Sequence, residues 1–281
     1  MEIYQNLVYS GSDNRKSPFD LYLAENSADR PLVVFAHGYK GFKDWGAWHL
    51  AALAFAEAGF DFLKFNFSHN GGTVENPIDF PDLEAYSENT YSRELEDIET
   101  ITNLAASGIE VNGKVKSWKK VALIGHSRGG GIVILHAARS AAISHLTTWA
   151  SVADYGERFN FDMDAWKKTG VTTVLNGRTK QEMPHKYAFY EDYVADKEKL
   201  NIETAARKID IPWLIVHGDI DEAVNFEEAD RLKGWSKYAH LIEIQNGSHT
   251  FGASHPWNEI EIPKPLKKVV EETIRFFALN A

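Results

Sequence analysis

Ser127 stands in Gly125-His126-Ser127-Arg128-Gly129, a G-x-S-x-G pentapeptide that follows the apolar run Val121-Ala122-Leu123-Ile124 and leads into Gly130-Gly131 and a helical stretch. A strand, a sharp turn and a helix in that order lift a hydroxyl above the edge of a sheet. The positions two before and two after the serine must be small, because side chains there would collide with the turn, and both are glycine. The helix N-terminus beneath the serine offers backbone N–H groups to negative charge. Such a hydroxyl can attack an acyl carbon if an imidazole takes its proton and a carboxylate orients the imidazole. A phosphate cradle is the competing reading, but no Lys-Ser or Lys-Thr follows the glycines.

Both partners have candidates in loops that follow later apolar runs. Asp221 lies in His217-Gly218-Asp219-Ile220-Asp221, after Trp213-Leu214-Ile215-Val216, and His249 lies in Asn246-Gly247-Ser248-His249-Thr250-Phe251, after Ala239 to Ile244. The chain order Ser, acid, His suits a nucleophile carried on a strand-to-helix elbow. Asp219 competes with Asp221, but a loop must leave its strand and turn before presenting a carboxylate. That favours Asp221 and leaves Asp219 to bond its own turn. His255, held by Pro256, reads as a structural or rim residue, and His240, inside a strand pattern, as a packed or surface one.

Acyl transfer also needs donors for the oxyanion. One is the backbone N–H of Arg128. The other is expected from Ala36-His37-Gly38-Tyr39-Lys40-Gly41-Phe42, where Gly38 permits a close turn and the Tyr39 N–H points at the site. His37 and His126 are expected to pack around the site rather than move protons. Arg128 places a cation at a helix N-terminus, which is mildly unfavourable. It is therefore expected to pair with an acid from the segment that follows, Asp154 or Glu157.

The elements that must hold these residues can be read from hydrophobic patterning. Ile3 to Tyr9 and Phe19 to Ala24 read as strands around the turn at 11–14. Leu32 to Ala36 and Val121 to Ile124 are short, wholly apolar runs, as in strands buried on both faces. Phe60 to Phe67, Leu146 to Ala150, Trp213 to Val216 and Ala239 to Ile244 complete the strands. Helices are expected over Trp45 to Ala58, Tyr91 to Ala106, Gly129 to Ala142, Phe226 to Lys233 and Lys264 to Leu279. Strands alternating with helices predict a parallel sheet covered on both faces, with sites at the C-terminal strand ends. The rhythm breaks between 155 and 208, which shows no short apolar strand and reads as an inserted cap or lid on a core of 1–154 and 209–281.

Composition limits what this chemistry can be. The chain has 281 residues, 44% of them apolar, no cysteine and a formal charge of −10. Disulfide scaffolds, thiolate metal sites and thiol nucleophiles are excluded, and a polyanion such as nucleic acid is repelled overall. The N-terminus shows no leader pattern and no apolar run could span a bilayer, so a cytoplasmic location is expected. No His-Glu-x-x-His pattern suggests zinc, and neither metal nor cofactor is expected.

Together, His37-Gly38-Tyr39, Gly125 to Gly129, Asp221 and His249 resemble the α/β-hydrolase superfamily over most of the chain. The His-Gly-x-x-Asp and His-Thr-Phe segments are similar to those of dienelactone hydrolase-like and serine aminopeptidase-like esterases, with a further similarity to cinnamoyl and feruloyl esterases. Dienelactone hydrolases carry Cys at the elbow, and the dehalogenases and epoxide hydrolases of this fold carry Asp, whereas this chain carries Ser127. The resemblance implies an α/β-hydrolase fold, with a mostly parallel eight-stranded sheet between helices. It also implies a serine hydrolase acting through an acyl-enzyme on a small or medium carboxylic ester.

The segment 155–208 supplies candidate pocket residues, foremost Phe159, Trp166, Met183, Tyr187 and Tyr190, beside Tyr155, Phe161, Met163, Phe189 and Tyr193. Some must form the segment's own core, and others could line an apolar acyl or alcohol pocket. An aminopeptidase or amidase is the alternative activity, with Glu157, Glu182, Glu191 and Asp192 as candidate receptors for a substrate ammonium. A catalytically silent binding protein of the same fold is the alternative of another class. The oligomeric state is not written in the sequence.

Overall fold

The computed structural model describes residues 1–27 and 30–280. In chain order its strands are β1 (Glu2–Ser10), β2 (Lys16–Leu23), β3 (Leu32–Ala36), β4 (Phe62–Phe65), β5 (Ile109–Val111), β6 (Lys114–Lys116), β7 (Val121–His126), β8 (Ile143–Trp149), β9 (Val171–Leu175), β10 (Glu182–Lys186), β11 (Trp213–Gly218) and β12 (Ala239–Ile244). The helices are α1 (Trp48–Glu57), α2 (Leu83–Ser87), α3 (Tyr91–Ser107), α4 (Arg128–Ala137), α5 (Met163–Thr169), α6 (Ala188–Ala195), α7 (Ile202–Ala206), α8 (Phe226–Trp235) and α9 (Lys264–Asn280).

Eight strands form one sheet in the order β1-β2-β4-β3-β7-β8-β11-β12. β1 and β2 pair antiparallel, as do β2 and β4. From β4 to β12 every neighbouring pair is parallel. The apolar strands feed two cores because successive side chains point to opposite faces. Leu32, Val34, Val121, Leu123, Trp213 and Ile215 join α3, α4 and α8 on one face. Val33, Phe35, Ala122, Ile124, Leu214 and Val216 join α1 and α9 on the other. This two-sided burial is why the central strands read as continuous apolar runs.

The segment 155–208 departs from its sequence reading. β9 and β10 form an antiparallel hairpin, where no strand was expected. β9 is a β-branched run, Val171-Thr-Thr-Val-Leu, with exposed and half-buried positions alternating. β10 reads Glu-Met-Pro-His-Lys, whose charges and proline hide it from a search for apolar runs. A smaller hairpin, β5–β6, also went unread. α4 ends at Ala137, short of the expected Ala142. No helix among the described residues is long and apolar enough to cross a membrane.

Candidate active site

Four parallel strands, the neighbours β3 and β7 and the neighbours β11 and β12 with β8 between the two pairs, deliver the loops at their C-terminal ends to one place. Ser127 follows β7, the Gly38-Tyr39-Lys40 loop follows β3, Asp221 follows β11 and His249 follows β12. Ser127 itself is left-handed, at φ 56° and ψ −119°, a conformation costly for a side-chain-bearing residue and held by its surroundings. Its N–H donates to the Trp149 carbonyl at 2.9 Å, and its own carbonyl accepts from Gly130 N–H at 3.0 Å.

The elbow glycines are steric necessities. A Cβ on Gly125 would lie 2.4 Å from the Gly129 carbonyl oxygen, and one on Gly129 would lie 2.4 Å from the His37 carbonyl oxygen. The next two glycines seat α4 against the chain that follows β8. A Cβ on Gly130 would meet Ser151 Oγ at 2.2 Å, and one on Gly131 would meet Tyr155 Oη at 2.5 Å.

Ser127, His249 and Asp221 form a hydrogen-bonded line. Ser127 Oγ lies 3.0 Å from His249 Nε2, and His249 Nδ1 lies 2.9 Å from Asp221 Oδ2. The carboxylate is acceptor-only, so Nδ1 carries the proton and Nε2 faces the serine with its lone pair. The Asp221 side chain is fully buried. Ala223 and Val224 N–H groups donate to its Oδ1 at 2.9 Å each, and His217 Nε2 approaches Oδ2 at 3.3 Å. Burial alone would push the carboxyl up, but the hydrogen bonds from His217, His249 and the backbone outweigh it and hold it well below the usual carboxylate range.

The neighbouring histidines take other parts. His126 Nε2–H donates to the His249 carbonyl at 2.9 Å, which fixes the His249 backbone. His37 Nδ1–H donates to the Gly38 carbonyl at 2.9 Å, and its Nε2 accepts from Phe67 N–H at 3.2 Å. Burial keeps both rings neutral, pulling His37 down to about 4 and His126 to about 3. Asp219 Oδ1 accepts from Gly247 N–H at 3.1 Å, tying the two site loops together rather than bonding its own turn. His255 Nδ1 accepts from Gly46 N–H at 2.9 Å, and His240 is exposed.

The Gly38–Tyr39 loop abuts the serine, since a Cβ on Gly38 would sit 2.9 Å from Ser127 Cβ. Tyr39 and Arg128 both border the cavity that opens at Ser127. Beyond the turn closed by Gly41 N–H and the Gly38 carbonyl, the loop is anchored by buried charge. Lys43 Nζ reaches Asp20 Oδ1 at 2.8 Å and Asp44 Oδ2 at 2.5 Å, and Lys64 contacts the same two aspartates. Two ammonium groups and two carboxylates thus neutralise each other beneath the loop, the only arrangement in which such burial is tolerable.

Two cavities meet at Ser127 and His249. The larger, about 490 Å³, is bordered by Tyr39, Tyr91, Tyr155, Phe161, His185 and Phe189, with Lys40, Arg128 and Arg158 as its charged groups. The smaller, about 260 Å³, is bordered by Trp45, Trp48, Lys40, Asn176 and Arg178. Of the aromatic residues singled out from the sequence, Tyr155, Phe161 and Phe189 border the larger cavity. Phe159, Trp166, Met183, Tyr187 and Tyr190 border neither. Phe159 packs on Tyr190 at 5.2 Å between ring centroids, and Trp166 packs on Tyr187 at 5.4 Å. Met183 lies in a separate cluster with Phe42, Phe80 and Tyr86. The four aromatic residues pack on one another because the hairpin and α5 have to bury a face of their own, whereas Met183 ties β10 to the chain outside the segment.

The acid that meets Arg128 is also a correction. It is Glu94 from α3, at 3.1 Å. Asp154 and Glu157 turn instead to Arg231. Of the other acids weighed as ammonium receptors, Asp192 accepts from Ser92 N–H at 3.3 Å, and neither Glu182 nor Glu191 borders the two cavities. The structure adds Lys40, Arg158, Tyr91 and His185 at the larger cavity and His217 beside Asp221 to the site expected from the sequence. Lys40 was within reach, standing next to Tyr39 in the loop already singled out; the others needed the fold. Among the described residues no three His, Asp or Glu side chains gather as a metal-ligand set.

The sequence profile of the alpha/beta hydrolase family matches residues 33–261. Among solved structures, Est1E from Butyrivibrio proteoclasticus with bound ferulic acid is 21% identical with a TM-score of 0.74, the match covering 98% of this chain and 99% of that one. A dienelactone hydrolase from Anabaena variabilis is 16% identical with a TM-score of 0.64, covering 99% and 98%. A puromycin hydrolase is 16% identical with a TM-score of 0.66, covering 99% of this chain and 39% of its own. No curated protein sequence matches the chain. At these identities the structural likeness speaks for the fold, and with the profile spanning both the elbow and the histidine loop, the chain belongs to the alpha/beta hydrolase family.

Proposed function

We propose that the protein is a serine hydrolase that cleaves a small or medium carboxylic ester through an acyl-enzyme. The observation that carries this reading is the unbroken line from Ser127 Oγ through His249 to Asp221, with links of 3.0 and 2.9 Å. Ser127 Oγ attacks the ester carbonyl while its proton passes to His249 Nε2. The tetrahedral oxyanion is received by the Tyr39 and Arg128 N–H groups. It collapses as His249 protonates the departing alkoxide, leaving an ester on Ser127. Water then attacks that ester, giving its proton to His249, and the acid leaves as Ser127 regains its hydrogen. Asp221 keeps the imidazole in the required tautomer and stabilises the imidazolium, which its depressed pKa suits it to do.

Two cavities beside one serine suit a substrate with two arms, one for the acyl group and one for the alcohol. The aromatic border of the larger favours an apolar or aromatic group there, and the segment 155–208 serves as the cap that shapes it. Ferulic acid, the molecule bound in the Butyrivibrio structure, is an aromatic acid of the kind such a border would suit. The aminopeptidase alternative is less well supported, because among the described residues no Asp or Glu borders either cavity to receive a free ammonium.

Labelling by a fluorophosphonate probe tests the reading. Wild-type protein should label and a Ser127→Ala variant should not; no labelling of the wild type would favour a binding role for the fold. A panel of aryl and alkyl esters beside aminoacyl amides then separates esterase from peptidase.

A further inference from the structure

The chain carries a net charge of −10 and forty acidic residues, yet among the described residues no Asp or Glu borders either cavity at Ser127, whereas Lys40, Arg128, Arg158 and Arg178 do. Three of these cations already have partners. Arg128 is held by Glu94, Arg158 by Glu228 and Arg178 by Asp79. Lys40 makes no ion pair among the described residues, and it is the one cation that borders both cavities. Its Nζ lies 5.1 Å from the centroid of the Tyr39 ring, and its backbone is left-handed at φ 52°. The side chain therefore leaves the oxyanion loop at the junction of the two compartments, half-buried.

A half-buried ammonium without a counter-ion is costly, and the cost falls when an anion arrives. Burial already draws the Lys40 pKa below its ordinary value. In a protein of net negative charge, a cleft bordered only by cations concentrates anions locally. Resting on the serine-hydrolase reading, we propose that the substrate is an ester bearing a carboxylate, and that Lys40 is the specificity-determining residue that receives it. The carboxylate sits on the acyl arm or the alcohol arm, whichever extends past Lys40, and the ester carbonyl stays at Ser127.

Two matched pairs of esters test this. For the acyl arm, mono(4-nitrophenyl) adipate is compared with 4-nitrophenyl heptanoate; for the alcohol arm, 4-acetoxybenzoate is compared with its methyl ester. The readout is the ratio of kcat/KM for the anionic ester to that for its neutral match, in wild type, Lys40→Met and Lys40→Arg. We expect the ratio in one pair to fall about tenfold or more in Lys40→Met, through KM, to recover largely in Lys40→Arg, and to shrink with added salt. Ratios unmoved by Lys40→Met in both pairs would overturn the proposal. So would an equal loss of kcat on charged and neutral esters, which would make Lys40 a support for the oxyanion. A binding arm needs no turnover: Ser127→Ala protein should bind adipate or 4-hydroxybenzoate at least tenfold more tightly than Ser127→Ala/Lys40→Met. Equal affinities would count against Lys40. Fluorophosphonate labelling with flat ester ratios rejects this inference alone, whereas failure to label rejects the hydrolase reading and the ester substrate with it.

Discussion

The Arg128 guanidinium meets the Glu94 carboxylate at 3.1 Å inside a ring of aromatic side chains, with Tyr39, Tyr91 and Phe189 centred 4.6, 5.0 and 5.2 Å from its central carbon. Asn89 donates to the same Glu94 oxygen at 2.7 Å, and the other oxygen has no partner among the described residues. Burial pushes the Glu94 carboxyl up against the pull of Arg128. The pair joins the residue after the proposed nucleophile to α3, so the first turn of α4 is held from outside its own strand–helix unit.

Breaking that pair from one side should be severe. Arg128→Met leaves the Glu94 carboxylate buried without a cation, and should cost about 3–5 kcal/mol in urea denaturation. Arg128→Met with Glu94→Leu removes both charges and should cost clearly less than the sum of the single changes. Strict additivity would show that the two groups do not sense each other.

Gly129→Ala should be disproportionately damaging for one methyl group. Its Cβ would fall 2.4 and 2.6 Å from the carbonyl oxygens of His37 and Ala36, which are backbone atoms at the end of β3. A loss of about 1–3 kcal/mol is expected from the overpacking, and ester hydrolysis should fall by more than an order of magnitude as the Gly38–Tyr39 loop and the elbow are forced apart. Gly234→Ala in α8 is the comparison, since no atom of the described residues lies within 4 Å of where its Cβ would sit. It should stabilise by up to about 1 kcal/mol. Thermal melts and one ester assay read both.

Asp221→Asn and Asp219→Asn should part company. An amide at 221 turns a donor toward His249 or favours its wrong tautomer, and should lower kcat by about 10⁴ with a modest effect on KM. At 219 the side chain only receives the Gly247 N–H, and an amide oxygen can do the same, so kcat should stay within a few-fold of wild type. Similar losses at both sites would move the acid's role off Asp221.

Stability should fall on mild acidification. Burial lowers His37, His69 and His136 to about 4, and His126 and His185 to about 3. For each, the folded pKa lies below the ordinary value of about 6.5, so the unfolded chain binds the proton first. The stability of the neutral rings is complete above that value and drains away as pH falls toward 4. The midpoint of urea denaturation should drop steeply over that interval. His136→Gln, whose amide N–H can still donate to Thr102 Oγ1 (3.0 Å from His136 Nε2) but which cannot take up a proton, should flatten the slope. An unchanged slope would remove His136 from the account.

Local chemistry explains what could be read without coordinates. The elbow declares itself because only glycine fits the contacts at 125 and 129, and the doubly buried strands declare themselves because both their faces must be apolar. Asp221 and His249 could be ranked by their distance beyond a strand end. Polar choices inside the segment 155–208 had no such local necessity. Whether Phe159 or Phe161 faces the cavity, whether β10 forms despite its charges, and which of several acids meets Arg128 all depend on how that segment and α3 settle on the sheet.

From the order of its residues alone, this chain determines the sheet, the elbow and the identities of the groups that line up behind Ser127, because steric exclusion at glycine and two-sided burial act over a few residues at a time. Tertiary structure alone decided that Glu94 neutralises Arg128, that Phe159, Trp166, Met183, Tyr187 and Tyr190 pack away from the cavities, and that Lys40 is left between two cavities without an acid among the described residues. Those outcomes are set by contacts between segments far apart in the chain, where burial and charge pairing are settled only once the whole fold has closed.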